Sequence, residues 1–275
     1  MSRSPVSRRG RLRPSAVPVA FEGPLREVPP SDRVAFVASY SADATVTRSL
    51  DRLIGELKAC GYPVILVRAS DDEAPLDWPG DDRDDVVVIR KPNLGYDFGS
   101  WAVGMAWFPH LLSRDYVLLV NDSLVGPFAP LAPIIEDFES SICDVWGVTG
   151  TTQFIPHLQS YFLGFKNASL ADPALRAFWR SLPVETDKLA MVDSYELGLT
   201  RLLFAEAFVS TAMFQPERVV AQGQNPTING WRRLIDLGFP FVKRAIVTDS
   251  GVALNGSAVE MTMRDRFGES LHDWL

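Results

Sequence analysis

An acidic residue with polar neighbours follows directly after an apolar run in residues 116–123, which end in Asn121, Asp122 and Ser123. At the end of a buried strand a carboxylate has an open face, where it can hold a divalent cation through oxygen ligands. Such a cation can hold a diphosphate and offset its charge. The alternative is that Asp122 only caps a turn, since Asn, Asp and Ser are all turn formers. We therefore predict Asp122 as the ligand of a divalent cation, Mg²⁺ or Mn²⁺.

A second cluster, in residues 93–101, combines two glycines with an aromatic and an acidic side chain. Glycine allows close backbone approach, and the N-terminus of a following helix favours an anion. Tyr96 can stack on a base or a sugar, and Asp97 can accept hydrogen bonds from ribose hydroxyls. The alternative is a turn in which Asp97 only caps the helix. The cluster predicts a nucleotide-binding loop.

A third cluster, Asp193 to Glu196, opens a long stretch of helical periodicity. One interpretation is chemical, with Glu196 as a general base that takes the proton from an acceptor hydroxyl. The other is structural, because an N-cap acid with Glu three residues later is a capping box. A Glu that folds back onto backbone N–H groups is held in its ionised form, which lowers its basicity. The two interpretations predict different surroundings for Glu196.

Three further polar residues lie in less specific patterns. His157, in the string His-Leu-Gln-Ser-Tyr, could line an acceptor site or be an ordinary surface histidine. Lys243 and Arg244, towards the end of the chain, could meet a phosphate or remain solvated. The sequence leaves both pairs of alternatives open.

The elements that would position these clusters alternate between apolar strands and amphipathic helices. Short continuous apolar runs are typical of buried strands, and such strands between helices predict an α/β domain with a mostly parallel, doubly wound sheet flanked by helices. Ligands bind such sheets at the carboxyl ends of the strands. We therefore expect the residues after each run to converge on one cleft. The predicted strands are residues 34–37, 64–67, 86–89, 116–120, 144–148 and 159–165, and the predicted helices include 46–57, 97–105, 193–208 and 227–237.

The beginning of the chain differs in composition from the rest. Residues 1–31 are basic and proline-rich and lack the apolar run of a signal peptide, so we predict a disordered tail. Its charge could contact an anionic membrane surface, or it could be a solvated tail without a function. Residues 32–275 are predicted to form one domain, with a nucleotide-binding part at about residues 32–127 and an acceptor-side part at about residues 128–275.

Composition excludes several classes of protein. Of the 275 residues 47% are hydrophobic, which is enough to bury a sizeable core, and the net charge of -7 argues against nucleic-acid binding. No stretch reaches the roughly 18 apolar residues that a membrane helix needs. The two cysteines, Cys60 and Cys143, give no zinc spacing and are expected to be reduced and buried. We expect a cytoplasmic protein, with contact at the inner face of the membrane as an option through the tail.

Taken together, the clusters resemble the rhamnan synthesis protein F family of bacterial polysaccharide glycosyltransferases. The strings Gly-Tyr-Asp-Phe-Gly-Ser-Trp and Asn-Asp-Ser are fairly specific in combination, although each alone would be a weak signal. The resemblance covers most of the chain after the tail. The matching stretches are residues 90–101, 120–127, 157–162, 194–200 and 225–227, together with Trp231.

The resemblance implies a GT-A-like nucleotide-binding fold and a role for each cluster. Asn121 to Ser123 lie where such enzymes carry a metal-binding Asp-x-Asp motif, although only Asp122 is acidic here. Asn93 and Gly95 resemble the Asn-x-Gly beside the nucleotide in family 2 glycosyltransferases. Glu196 with Arg201 resembles the helix that carries the catalytic base there, with Leu197 in place of its second acid.

The function that the resemblance implies is transfer of a sugar from a nucleoside diphosphate donor to a glycan or lipid-linked glycan, with inversion at the anomeric carbon. The family is associated with dTDP-rhamnose as donor. One alternative is a non-catalytic nucleotide-sugar or glycan-binding subunit; another, a nicotinamide-dependent oxidoreductase, is disfavoured because no glycine fingerprint follows the first strand. The nucleotide-sugar contacts are predicted at Ser39, Tyr40, Asn93, Gly95, Tyr96, Asp97 and Asn121, and the acceptor contacts at His157, Gln159 and Tyr195.

Overall fold

A large twisted sheet runs through the centre of the molecule. The computed structural model describes residue 6 and residues 10–80, 83–185, 187–248 and 256–275. In space the strands follow the order β1-β4-β3-β2-β5-β9-β7-β10, with β8 paired to β7 and a separate ribbon of β6 and β11. The strands are β1 (Ala20–Glu22), β2 (Arg33–Tyr40), β3 (Val64–Ala69), β4 (Val87–Lys91), β5 (Tyr116–Asn121), β6 (Leu124–Val125), β7 (Val145–Thr151), β8 (His157–Leu158), β9 (Phe162–Lys166), β10 (Ser210–Phe214) and β11 (Val242–Lys243).

Most strands of the large sheet point the same way. Strands β4, β3, β2 and β5 are mutually parallel, and β7 and β10 share their direction because β9 runs antiparallel to both β5 and β7. Along β2, Val34 and Phe36 face one apolar layer whereas Ala35 and Val37 face another, so both faces of the sheet are covered. The predicted α/β class, with a mostly parallel sheet flanked by helices, is confirmed.

Helices pack on both faces and also form a third apolar cluster near the end of the chain. Between α5 and α6 lies a π-helical turn at Val192–Leu197, so that residues 188–205 form one continuous helical segment. No helix in the described part of the chain is long and apolar enough to span a membrane. The helices are α1 (Arg48–Ala59), α2 (Tyr96–Trp107), α3 (Ala132–Ser140), α4 (Pro173–Arg180), α5 (Lys188–Met191), α6 (Gly198–Ala205), α7 (Pro226–Asn229), α8 (Trp231–Asp236), α9 (Arg244–Thr248) and α10 (Gly256–Phe267).

Two predicted helices have different bounds in the structure. The helix predicted for residues 193–208 begins at α5, because Asp187 accepts hydrogen bonds from the backbone N–H groups of Leu189 and Ala190 at 3.0 and 2.9 Å. It ends at α6, and β10 follows. The helix predicted for residues 227–237 is divided into α7 and α8 at Gly230, where the chain packs so tightly that a Cβ atom would lie 2.5 Å from the side chain of Val219.

The N-terminal segment is a folded part of the domain. Leu12 and Val17 are buried in the apolar layer beside α2, and β1 pairs antiparallel with β4. The prediction of a disordered tail is therefore wrong for residues 10–31, because this segment supplies apolar surface and a sheet edge that composition alone did not reveal. Residues 1–5 and 7–9, which carry part of the predicted basic tail, lie outside the described residues.

Glu22 gives the N-terminal strand an electrostatic role as well. Arg68, on β3, is completely buried, and its guanidinium donates to the Glu22 carboxylate at 3.3 Å and to the carbonyls of Asp72 and Ala74 at 2.9 and 3.0 Å. Arg90, on the neighbouring strand, lies 3.3 Å from the same carboxylate. A buried charge is tolerated only when it is paired and hydrogen-bonded, so β1 compensates an arginine in the sheet interior.

We predict that Glu22→Gln lowers the free energy of unfolding by about 3 kcal/mol, because removal of one partner of a buried ion pair leaves the other charge uncompensated. Urea denaturation followed by circular dichroism measures this change. Glu27→Gln is the matched control, since Glu27 is exposed on the same segment. An equal stability of the two variants would contradict the assigned role of β1.

Candidate functional site

The predicted clusters lie where the strand order of the sheet reverses. From β2, the chain proceeds to β3 and β4 on one side and then crosses to β5 on the other, so β2 and β5 are neighbours at a switch point. Ala38 pairs with Asn121 there, and the backbone N–H of Asp122 donates to the Ala38 carbonyl at 3.2 Å. Open α/β sheets bind ligands in the crevice at this position.

A cavity of about 400 Å³ opens at this carboxyl edge of the sheet. Its wall brings together side chains from the start of α2, from β5, β7, β8 and β11 and from the helical segment 188–205. A volume of this size suits a small ligand. The predicted site residues in its lining are Tyr96, Asp97, Asn121, His157, Gln159, Tyr195 and Glu196.

A chain of hydrogen bonds connects four of the polar residues in this cavity. Asn121 Nδ2 donates to Asp97 Oδ2 at 2.7 Å, and Ser123 Oγ donates to Asn121 Oδ1 at 2.6 Å. Lys243 Nζ donates to Ser123 Oγ at 2.8 Å. Burial raises the pKa of Asp97, and the charges of Lys243 and Lys91 and the hydrogen bond from Asn121 only partly offset this.

Lys243 reaches the cavity through the small ribbon of β6 and β11. In this ribbon Lys243 pairs with Leu124, and the backbone N–H of Arg244 donates to the Ser123 carbonyl at 3.0 Å. The ammonium group also lies 5.4 Å from the centre of the Tyr161 ring. Lys243 lines the cavity and is held by Ser123, so a fixed positive charge stands beside the Asn-Asp-Ser turn.

Asp122 lies beside the cavity wall and faces β2. Its Oδ2 accepts a hydrogen bond from the backbone N–H of Tyr40 at 3.2 Å. Burial, together with the negative charge of Asp97, raises the pKa of Asp122 to about 7, although the Tyr40 N–H and the charge of Arg244 act in the opposite direction. The carboxylates of Asp97 and Asp122 are therefore close enough to repel each other.

The backbone at the start of α2 adopts a conformation that few residue types favour. Gly95 has a φ of +76° and Tyr96 a φ of +51°, so the loop turns sharply before the helix begins. At Gly99 a Cβ atom would lie 2.2 Å from the Leu94 carbonyl oxygen, which excludes any side chain there. Trp101 Nε1 donates to the Val120 carbonyl at 3.0 Å and ties α2 to the end of β5. The Gly-Tyr-Asp-Phe-Gly-Ser-Trp string thus holds Asp97 next to Asn121.

Aromatic stacking joins this loop to the helical segment that carries Glu196. The ring of Phe98 stacks on Tyr195 at 5.1 Å between centroids and on Trp179 at 5.2 Å. Phe98 follows Asp97 in sequence, and Tyr195 precedes Glu196. The stacked rings therefore hold the neighbouring carboxylates, Asp97 and Glu196, at the same cavity. The π-helical turn is a feature that often occurs at functional sites.

Glu196 does not close a capping box. It lies inside the helical segment, and its carboxylate accepts a short hydrogen bond from Ser160 Oγ on Oε1 while His157 Nε2 lies 3.5 Å from Oε2. Burial alone would raise the pKa of Glu196, but these contacts and the charge of Lys243 outweigh it, so the pKa lies below its usual value. The capping-box interpretation of Glu196 is thus wrong, and its carboxylate is fixed inside the cavity.

His157 is almost completely buried, which corrects the alternative of a plain surface histidine. Its Nδ1 lies 2.8 Å from the Ile155 carbonyl oxygen. A carbonyl can only accept, so Nδ1 carries a proton and Nε2 faces Glu196. The imidazole is therefore oriented by the backbone and presents one nitrogen to the carboxylate.

Other predicted site residues are occupied by structural contacts. Gln159 accepts from Thr149 Oγ1 at 2.7 Å and donates to Asn225 Oδ1 at 3.2 Å, and the Tyr195 hydroxyl donates to the Pro183 carbonyl at 2.6 Å. Both line the cavity, but their polar atoms hold the wall in place. Ser39, Tyr40, Asn93, Gly95 and Asp122 are not in the lining of the cavity, and Arg201 pairs with Asp193 at 2.5 Å on the surface.

The residues fit a divalent cation only in part. Within the described residues, no group of three or more His, Cys, Asp and Glu side chains is arranged to hold a metal ion. Asp122 and Asp97 can offer hard oxygen ligands, and Mg²⁺ is commonly held by one or two carboxylates together with substrate phosphates and water. A cation here would thus depend on a diphosphate for several of its ligands.

Several residues of the cavity were not singled out from the sequence, among them Ser160 and Phe154. Ser160 belongs to the His-Leu-Gln-Ser-Tyr string, and this polar string at the start of a predicted strand was the available signal. Phe154 and its neighbour Ile155 form an apolar pair within a loop, between Thr151 at the end of β7 and Pro156, which is an unusual position for two large hydrophobic side chains. Phe154 lines the cavity.

Comparison with known proteins identifies the family of this chain. The chain is 28% identical to virulence protein VirA of Vibrio anguillarum over 79% of its own length and 80% of that protein. It is 27% identical to the uncharacterized protein y4gN of Sinorhizobium fredii over 54% of its own length and 40% of that protein. The family model described as rhamnan synthesis protein F matches residues 81–264, which hold the loop before α2, the Asn-Asp-Ser turn and Glu196. The chain belongs to the rhamnan synthesis protein F family, whose name links it to polysaccharide synthesis.

Proposed function

We propose that this chain is a glycosyltransferase of GT-A type that moves a sugar from a nucleoside diphosphate to a glycan or lipid-linked glycan acceptor in polysaccharide synthesis. The observation that carries the proposal is the cavity that holds a fixed carboxylate, Glu196, opposite a polar network with a positive charge, Asp97–Asn121–Ser123–Lys243. Transfer of a glycosyl group needs both, a base for the acceptor and a site for the leaving diphosphate. Rhamnose, carried by dTDP, is the donor sugar that the family name favours.

The donor is proposed to bind at the switch point. Tyr96 is exposed at the mouth of the cavity and offers a ring for the base or sugar, while Asp97 offers acceptors for ribose hydroxyls. Ser39 and Tyr40 lie at the end of the adjacent strand β2. Lys243 stands where the diphosphate charge would develop as the glycosidic bond to phosphate breaks. A fixed charge in a partly enclosed site stabilises such a transition state more than it would in water.

A divalent cation would add to this stabilisation. Asp122 is the proposed protein ligand, and Asp97 is a second carboxylate whose charge acts on it. When bound, the cation would act as a Lewis acid on the diphosphate. Because the protein offers so few ligands of its own, we expect Mg²⁺ or Mn²⁺ to bind well only together with the nucleotide.

The acceptor half of the reaction centres on Glu196. Its carboxylate takes the proton of the acceptor hydroxyl as the oxygen forms a bond to the anomeric carbon, and the bond between that carbon and the diphosphate oxygen breaks. In-line attack from the opposite side inverts the anomeric centre. The low pKa of Glu196 makes it a modest base on its own, and Ser160 and His157 hold its carboxylate in one orientation.

Two features support a rival function, a nucleotide-sugar or glycan-binding subunit without turnover. Both oxygens of Glu196 already have partners, and its pKa is lowered, which is the state of a structural carboxylate. Such a subunit would bind the donor but would not release nucleoside diphosphate from it. In either case we propose that the chain acts in the cytoplasm, where nucleotide sugars are substrates, with contact to the inner face of the membrane through its basic N-terminus.

We predict that Glu196→Gln and Asp122→Ala each reduce the release of dTDP from dTDP-rhamnose in the presence of Mn²⁺. Loss of general-base help is expected to cost about 10²- to 10⁴-fold in rate, and Asp122→Ala should also abolish the response to Mn²⁺. The measurement is the steady-state rate with water or glycan as acceptor. Asp193→Asn, which removes an exposed carboxylate three residues away, should retain wild-type turnover. If Glu196→Gln retained it too, the rival binding function would be favoured.

We also predict that Lys243→Met weakens the binding of dTDP by about 10- to 100-fold, since a charge-assisted contact to phosphate is lost. Isothermal titration calorimetry measures the affinity, and Lys243→Arg should restore most of it. Lys58→Met on α1, a residue that lies outside the cavity lining, is the control. Unchanged affinity in Lys243→Met would remove Lys243 from the diphosphate site.

A further inference from the structure

The ring of Phe154 lies at the mouth of the cavity and stacks on no other aromatic ring in the described residues. Phe154 is 63% exposed and belongs to the cavity lining, together with Leu189, which is also exposed. Single hydrophobic residues on a surface are common and need no explanation. Phe154 differs because its backbone conformation is costly.

Phe154 occupies the centre of a tight turn between β7 and β8. The backbone N–H of Ile155 donates to the Gln153 carbonyl at 3.0 Å, two residues back, and Phe154 has a φ of +70°. A γ-turn with a positive central φ is the rare and strained form. For a bulky residue such a φ is an outlier, and strain of this kind gathers at ligand-binding positions.

The neighbouring residues hold the turn in place from three sides. Asn225 Nδ2 donates to Gln153 Oε1 at 3.2 Å, and the backbone N–H of Gly223 donates to Thr152 Oγ1 at 3.0 Å. The Ile155 carbonyl accepts from His157 Nδ1 at 2.8 Å. Strained backbone persists only where the surroundings over-determine it, and here three hydrogen bonds hold the loop while the phenyl ring stays exposed.

The same turn therefore determines the positions of two side chains, His157 and Phe154. It orients His157, whose other nitrogen faces Glu196, and it holds the ring of Phe154 at the rim of the same cavity. Tyr96, the other cavity aromatic with a positive φ, at +51°, belongs to the loop that was assigned to the donor. The turn of Phe154 is linked to Glu196 through the Ile155 carbonyl and His157, so we assign its ring to the side of the group that would receive the acceptor proton.

We propose that Phe154 is the stacking platform for the pyranose ring of the acceptor, an inference that rests on the proposed glycosyltransferase function. A pyranose has one face of C–H groups and a periphery of hydroxyls. The C–H face suits an aromatic ring, and the polar groups of the cavity wall suit the periphery. A ring held in one position by a strained turn loses little freedom when the sugar binds, which favours affinity.

The experiment uses the full-length protein and four methyl pyranosides, those of rhamnose, glucose, galactose and mannose. Saturation-transfer difference NMR with added dTDP identifies which of them binds, and titration gives its affinity. We expect Phe154→Ala to weaken the binding of the glycoside by about 3- to 10-fold and to leave the affinity for dTDP unchanged. Phe204→Ala is the matched control, because Phe204 is 89% exposed on α6 and lies outside the cavity lining.

Phe154→Gly separates a binding role from a structural one. Glycine adopts a positive φ without strain, so this variant should melt at the same temperature as the wild type or up to about 2 °C higher, although it binds the glycoside as weakly as Phe154→Ala. A lower melting temperature for Phe154→Gly would indicate that the ring stabilises the fold instead.

The outcomes distinguish this inference from the function on which it rests. Normal binding of dTDP, with glycoside binding that is absent in the wild type or unaffected in Phe154→Ala, overturns the stacking platform and leaves the donor site intact. Failure of the wild type to bind dTDP overturns the proposed function itself. Self-association of the wild type that Phe154→Ala abolishes would assign the ring to a protein contact and would also overturn the platform.

Discussion

The contact of Phe98 with Tyr195 is the constraint on which the arrangement of the cavity depends. The two rings stack at 5.1 Å between centroids, and the residues next to them in the chain are the carboxylates Asp97 and Glu196. One carboxylate begins α2 and the other lies in a π-helical turn almost a hundred residues later. The sheet anchors each carboxylate separately, Asp97 through Asn121 and Glu196 through Ser160 and His157, and the stack joins the two elements that carry them. Apolar packing here fixes the geometry of polar groups.

A second constraint comes from short strands outside the central part of the sheet. The ribbon of β6 and β11 carries Lys243 to the Asn-Asp-Ser turn, and β1 brings Glu22 to the buried Arg68. Both are short strands that form only through long-range pairing. The ribbon places the positive charge of Lys243 beside the cavity, and β1 places the negative charge of Glu22 beside the buried Arg68. Residues near both ends of the chain thus supply charges that the central strands need.

The sequence predicted the parallel strands well because each is a continuous apolar run, as in β2, β3 and β5, and it predicted that the residues after them, among them Asp97 and Asn121, would share one edge because parallel strands end together. It failed for β1 and β11, whose two or three residues carry no periodic signal. It also placed the start of the Glu196 helix five residues late, since Asp193 imitates an N-cap while Asp187 is the true one. The pairing of Glu196 with Ser160 and His157 depends on β8, which the pattern missed, and on the connection to β9, where the strand predicted for residues 159–165 begins three residues too early.

The central claim is that this edge of the sheet binds a nucleoside diphosphate sugar between Asp97 and Glu196. Thermal unfolding of the wild type with a panel of nucleotide sugars, with and without Mn²⁺, tests it most directly, because a bound ligand raises the melting temperature as its concentration exceeds Kd. We expect at least one nucleotide sugar to raise it, more strongly with Mn²⁺, in the wild type and in Glu196→Gln but not in Asp97→Asn. No shift with any nucleotide sugar, or an equal shift in Asp97→Asn, would contradict the account.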